Sequence, residues 1–295
     1  MQDLFLQGGI MPVWFGLLIA FISSLTMNFG LTLQKRRASE LPKIGKERGA
    51  LVARAFFSNR DWWSGTIVLL LGWGLYLWSM QIAPISLVQP TLGMGLMAMA
   101  LFSVFYLKEK IKPGEWVIIA GMFIGFILLG LSAREEMPKE LPSIIRLLIA
   151  TAFILALALF AYFLGKKGKL NAIRADTLLG IVAGLFLGLG AVFARSMFLF
   201  SGHQKDLNAL GIFLPAMVIS YLLGIVIIQS GFQHGKALIV VVMESVISKL
   251  VAILAGIFAL NESLPQNRTL AVMRIIAFVL ILFGSGVLAR FGKER

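Results

Sequence analysis

Residues 237–261 read ALIVVVMESVISKLVAILAGIFALN, 25 residues that are almost wholly apolar. At about 1.5 Å rise per residue, a helix of this length crosses the roughly 30 Å hydrocarbon core of a bilayer. Glu244 and Lys249 then lie inside the membrane, with Ser245 and Ser248 between them. A charge at the bilayer centre costs roughly 2.5–3.5 kcal/mol on insertion scales, so such residues face protein or trapped water and mark candidate functional sites. The bland reading is a buried ion pair that only ties helices together. Five residues apart, the two charges sit about 140° apart around a helix and do not stack as an i, i+4 pair does. Ser248 is the i+4 neighbour of Glu244, and Lys249 that of Ser245. Each charge is therefore expected to find its partner on another helix.

The whole chain follows this pattern. Of its 295 residues 59% are hydrophobic and 14% charged, with mean hydropathy +0.90. A soluble domain is nearer 45–50% apolar and about 25% charged. The fold class is all-α and polytopic, because barrel strands would alternate polar and apolar residues. The net charge of +13 does not point to nucleic acid, since the basic residues cluster in the connections between spans, as the positive-inside rule requires. Cysteine is absent and only His203 and His234 are present. That excludes disulfides, thiolate metal sites, a Cys nucleophile and a His-rich metal centre. The N-terminal MQDLFLQGGIMP has no basic n-region or cleavage site, so the first span is expected to serve as its own insertion signal.

Hydropathy gives about nine spans, near residues 13–33, 64–82, 85–107, 116–131, 144–164, 177–200, 207–229, 237–260 and 270–289. Basic clusters follow the first span (Lys35 to Arg60), the third (Lys108, Lys110, Lys112), the fifth (Lys166 to Arg174) and the ninth (Arg290 to Arg295). With nine spans all four fall on one side. Within the 34–63 loop, ALVARAFFSNRDWW is apolar but short and charged; it reads as an interfacial amphipathic helix or a plain linker.

The sequence also matches itself. Shifted by 153 residues, 80–111 falls on 233–264 without a gap; Glu109 then covers Glu262, and Pro90 covers Met243, beside Glu244. NFGLTLQK (28–35) echoes GLGAVFAR (188–195). By span parity the halves are inverted, an architecture of secondary transporters whose substrate sites lie at the midplane between repeats. The expected division is a first repeat over 1–132, a linker over 133–143 and a second repeat over 144–295. Pro90, five residues into its span, removes a backbone donor and is expected to kink or break that helix. Gln89 beside it is an amide inside the membrane.

Several of these stretches resemble a known family. They are the LQKR that ends the first span, Trp62–Trp63 opening the second, AP…LVQP (83–90) leading into the third and the KEK (108–110) that closes it. GLFLGLGAVFAR (184–195) and the 237–262 stretch look like the matching half. The pattern resembles the drug/metabolite transporter superfamily with its EamA-type repeats, in particular the NIPA-like branch. The resemblance implies alternating access by two inverted bundles and nine spans. NIPA relatives are associated with magnesium; other relatives move metabolites, amino acids, nucleotide sugars or drugs. MESVISK (243–249) departs from the uncharged helix of many relatives.

The candidate substrate- or ion-binding residues are Glu244, Lys249, Gln89, Pro90, Ser245, Ser248, Asn28 and Arg195. Arg195, about five residues from its span end, either snorkels or pairs with Glu244. Asn28 is placed to bond a neighbouring helix, and Arg274 to snorkel. Glycines 72, 74, 93, 95, 180, 184, 188 and 190 suit close helix packing. GLFLGLG (184–190) is not a phosphate loop, lacking a preceding strand and a Lys-Ser/Thr ending. Two readings stay open: a secondary transporter of a small polar metabolite or cation, and a divalent-cation permease. No span carries a cluster suited to catalysis, so no enzyme activity and no cofactor are expected, and no metal ligands are assigned. The expected partners are the lipid bilayer and a small-molecule or cation substrate, with a homodimer left open and nucleic acid excluded.

The expected location is the cell (inner) membrane, and the charge bias orients the chain with the N-terminus outside and the 34–63 loop and C-terminus in the cytoplasm. Reporter fusions at the two termini should read opposite sides; the same side for both would mean an even number of spans.

Overall fold

The computed structural model describes residues 13–38, 59–97, 101, 113–133, 142–166, 175–204, 207–234, 237–262 and 264–291. Residues 50–58 of the interfacial stretch, the end of the third span with Glu109, and most of the 133–143 linker lie outside them. The described elements are α1 (Val13–Ala38), α2 (Arg60–Ile82), α3 (Ile85–Leu92), α4 (Pro113–Ser132), α5 (Ile144–Lys166), α6 (Ala175–Gln204), α7 (Leu207–His234), α8 (Ala237–Ala259) and α9 (Arg268–Phe291). Eight of them are long and apolar enough to cross a membrane; the shorter apolar stretch is Ile85–Met97. Large apolar side chains such as Phe153, Val226 and Phe283 stand exposed on the outside of the bundle, where hydrocarbon is the solvent.

Without a hydrophobic drive between helices in lipid, close approach and hydrogen bonds must hold the bundle. Glycines supply the approach. Gly180, Gly184 and Gly188 recur at i+4 along α6; a Cβ at each would start 2.6–2.8 Å from α8, against the carbonyl oxygens of Val240, Glu244 and Ser248 among other atoms. Gly224 and Gly190 pair α7 with α6 through Leu187 and Tyr221. Gly125 and Gly284 do the same for α4 and α9. Between α1 and α2, Gly72 packs on Met27 and its carbonyl accepts a 2.8 Å bond from Ser23 Oγ. Gly74 is the exception to the expected packing role, with nothing within 4 Å of where a Cβ would stand.

The third span is not one continuous helix. Its break falls at Gly93, three residues beyond Pro90: Gly93 N–H bonds the Pro90 carbonyl at 2.9 Å, a tight i→i+3 turn, before helix resumes at Met94. Pro90 gives no N–H to the Ser86 carbonyl one turn earlier, and a Cβ at Gly93 would stand 3.0 Å from the Pro90 carbonyl that its N–H approaches. Its start is equally well defined. Pro84 is the N-cap and offers no side-chain acceptor; its carbonyl takes the Leu87 and Val88 N–H groups at 3.0 Å each.

Gly184→Val should sharply reduce the monodisperse yield in detergent, because the Glu244 backbone cannot retreat without moving α8. Gly74→Ala, in open space on a helix, should be neutral or stabilising by about 0.5–1 kcal/mol. Gel filtration and thermal unfolding of the two variants check the contrast.

Candidate functional site

The break in the third span leaves backbone groups to be satisfied from elsewhere. Ser24 of α1 donates a 2.5 Å hydrogen bond from its hydroxyl to the Leu92 carbonyl. One turn on, the Asn28 amide nitrogen donates to the Ser24 carbonyl at 2.7 Å. Gly95 makes room for both: a Cβ there would collide with Asn28 Nδ2 and Ser24 Oγ. From the other side comes α8. The Lys249 stem passes Gly93, with Cε 3.5 Å from where a Cβ would stand. The structure thus brings Asn28 and Lys249, from opposite ends of the chain, to the same helix break.

Lys249 is 8% exposed. Its ammonium donates to Ser245 Oγ at 2.5 Å and to the Ser245 carbonyl at 3.1 Å, both on its own helix. Ser248 Oγ donates to Glu244 Oε1 at 3.2 Å. These are the two i+4 pairs that the sequence spacing defines. The expectation that each charge turns to another helix is corrected: serines one turn away in α8 bind both heads. Intramembrane serines serve this purpose because a hydroxyl both donates and accepts. Glu244 is partly buried and Ser248 buried.

Gln89 and Pro90 are both buried in α3. Gln89 Nε2 donates to the Tyr76 hydroxyl at 2.7 Å, and that hydroxyl lies 3.2 Å from the Tyr221 hydroxyl. Trp73 meets the Tyr221 ring edge-on, centroids 4.8 Å apart. This polar chain links α2, α3 and α7. Neither tyrosine stands out in the sequence, where a Tyr in an apolar span reads as core. Their hydroxyls matter only once the fold puts them beside Gln89.

Arg195 departs from both expectations. It neither snorkels nor pairs with Glu244. Its partner is Glu262: Arg195 Nε lies 3.4 Å from Glu262 Oε1, with each side chain 1% exposed. Arg195 Nη1 also donates to the Met80 carbonyl at the end of α2. The two Glu262 oxygens accept the Ile85 and Ser86 N–H groups of α3 at 2.8 Å each. The sequence marks Glu262 only through the repeat. Arg274 does not snorkel either; it is buried and donates to the Ser132 carbonyl, capping α4. Lipid offers carbonyls no partner at a helix end, so an arginine supplies one.

The site therefore divides in two. A polar layer at the third-span break holds Asn28, Ser24, Pro90–Gly95 and Lys249 with its partner Ser245; the Ser248–Glu244 pair lies next to it along α8, and Gln89 reaches the tyrosines. A separate ion pair sits at the end of the bundle where α3 begins and α8 ends. Among the described residues no group of three or more His, Cys, Asp or Glu converges.

Comparison with known proteins places the sequence. Residues 12–294 match the family described as magnesium transporter NIPA. The probable magnesium transporter NIPA9 of Arabidopsis thaliana is 27% identical over 282 residues, 92% of this chain and 81% of that protein. NIPA-like protein 2 of Homo sapiens is 23% identical over 261 residues, 85% of this chain and 66% of its own. A shorter likeness, 30% identity over 116 residues, covers 39% of this chain and 94% of a probable 4-amino-4-deoxy-L-arabinose-phosphoundecaprenol flippase subunit ArnE from Hamiltonella defensa. No solved structure matches.

Proposed function

The chain belongs to the magnesium transporter NIPA family, and on that premise we propose that it moves a small cation, with hydrated Mg²⁺ as the cargo, across the cell membrane by alternating access of two inverted halves. The observation that carries the reading is the polar layer at the third-span break, which Asn28 of α1 approaches at Gly95 and Lys249 of α8 at Gly93. Broken helices lining a midplane site are how secondary transporters expose backbone and side-chain oxygens to an ion.

The donor set suits a hard cation that keeps its water. Mg²⁺ dehydrates reluctantly and is commonly held by one or two carboxylates, with waters filling the remaining positions. Glu244 offers one carboxylate, and Ser245, Ser248 and the Asn28 and Gln89 amides offer neutral oxygens that waters can bridge. Lys249 is the tethered charge beside them. In the empty carrier it offsets Glu244, and an arriving cation competes with it. The likeness to a probable magnesium transporter supports magnesium over a neutral metabolite. The orientation that goes with this reading is N-terminus outside and C-terminus cytoplasmic.

In proteoliposomes, Glu244→Gln should cut Mg²⁺ uptake by about tenfold or more, because shape and hydrogen bonding survive but the charge that meets the cation is gone. Lys249→Met should retain more uptake than Glu244→Gln. If the pair were only structural, the two variants would misfold alike; equal loss of folded yield, or full uptake by Glu244→Gln, would sink the assignment. Pro90→Ala, which restores a backbone donor before the break, should insert and fold yet transport less. Unchanged uptake would make Pro90 a packing residue.

A further inference from the structure

The Glu262 ion pair plays no part in the cargo layer, yet it joins α3, α6, the end of α8 and the end of α2. Its backbone is set by the end of α8. Asn261 adopts φ 56°, the left-handed conformation that Asn tolerates. The Glu262 N–H reaches back to the Gly256 carbonyl at 3.0 Å, and the Leu260 N–H shares the Ala255 and Gly256 carbonyls, so a wide turn caps the end of α8. The carboxylate then passes over Gly256, where a Cβ would lie 2.7 Å from Glu262 Oε2. It ends as the acceptor for the first two N–H groups of α3, whose own N-cap is a proline. One residue thus terminates α8 and begins α3. Arg195 extends the joint to α6 and to the end of α2, and Arg146 of α5 donates to Asn261 Oδ1 at 2.9 Å on the rim.

Around the joint, Met80, Ala83, Ile85, Ala259 and Leu260 are all at 0% exposure. This end of the bundle is shut. The cargo layer lies deeper: Lys249 is ten residues before Ala259, about 15 Å along a helix. In a carrier that works by alternating access, a reading on which this inference rests, this end must open in part of the cycle. The start of α3 must then leave the end of α8, and the contact that parts is the Glu262 joint.

We infer that the Glu262–Arg195 joint is a reversible latch that holds this end of the transport path closed. A buried ion pair suits the task better than apolar packing. Shut, the carboxylate is met by two helix N-terminal N–H groups and a guanidinium. Opened, both charges are rehydrated by the water that enters, so the desolvation cost of the closed state is recovered. The closed and open arrangements can then lie close in free energy, as a two-state element requires.

The chain has no cysteine, so one introduced thiol reports without background. Ser86→Cys, at a buried position in the closed joint, is combined with the parent sequence, with Glu262→Gln, and with Arg195→Met/Glu262→Met. Gln266→Cys, at an exposed position beyond α8, marks the side. A membrane-impermeant maleimide is applied to sealed vesicles of both orientations. The Ser86→Cys thiol should label slowly in the parent and about tenfold faster in both latch variants, one decade in the open-to-closed ratio. It should do so only from the side that labels the Gln266→Cys thiol. Glu262→Gln keeps one oxygen for the α3 N–H groups and the double variant strands no buried charge; gel filtration identifies the folded variants before labelling. Labelling of the Ser86→Cys thiol at the parent's rate in the folded double variant would overturn the latch. Failure of the parent to carry Mg²⁺ would instead overturn the cargo, leaving the labelling comparison intact.

Discussion

The carboxylate of Glu262 is the constraint from which the arrangement of the bundle follows. A helix N-terminus inside a membrane protein presents N–H groups that lipid cannot satisfy. Helix α3 begins after Pro84, which has no side-chain acceptor and supplies only its carbonyl, used by Leu87 and Val88. The Ile85 and Ser86 N–H groups need an acceptor from elsewhere in the chain, and Glu262 provides both oxygens. A bare carboxylate would be untenable at 1% exposure, and Arg195 answers it. The position of the third span, and with it the depth of the break at Gly93, is set by an interaction that spans 177 residues of sequence.

That placement explains why the polar layer forms where it does. Pro90 and Gly93 interrupt the ladder part-way through the span, exposing the Leu92 carbonyl to Ser24. Gly95 lets α1 come close enough for Asn28 to join. On α8, residues 245 and 249 share the face that meets α3, whereas 243, 247 and 251 meet the glycine stripe of α6. The same helix is thus locked on one side by close packing and left polar on the other. The 3.6-residue period puts 245 and 249 on the side of α8 opposite 243, 247 and 251.

Much of this is legible in the sequence, and what is not has a physical cause. Span positions follow from hydropathy because a slab of roughly 30 Å demands about twenty apolar residues. Pro90 marks the stretch in which the third span is interrupted, but the helix runs on past it to Leu92 and the turn falls at Gly93. The i+4 spacing of Ser245–Lys249 and Ser248–Glu244 is local and readable, but the expectation that each charge turns to another helix overlooked that a serine one turn away can bind it. Arg195 and Arg274 are not readable in that way. Proximity to a span end suggests snorkelling to water, but a guanidinium with five donors can serve as a cap for another helix's carbonyls, and that depends on which helix end lies nearby. The 153-residue self-match sets Glu262 against Glu109 and so marks the position without revealing its role. Tyr76 and Tyr221 carry no signal, since a hydroxyl matters only when a partner faces it. The division into repeats remains the sequence's proposal, and the glycine stripes support close helix contact in each half without deciding its boundary.

For the cargo proposed, the charges on α8 bear on how transport would be driven. Moving one elementary charge through 100 mV is worth about 2.3 kcal/mol, so a divalent ion following an inside-negative potential gains about 4.6 kcal/mol. That is roughly three decades of accumulation, enough that uptake needs no second coupled ion. What the carrier does need is an empty return that does not drag an uncompensated charge through a low-dielectric interior. An ammonium tethered one turn from Ser245, on the same rigid helix as Glu244, meets that need without leaving the protein. The total charge moved per cycle is unchanged by Lys249; what changes is which half-cycle carries it. On the proposed cycle the loaded step would move both charges and the return would be neutral, so the membrane potential would act on the step in which the ion is aboard.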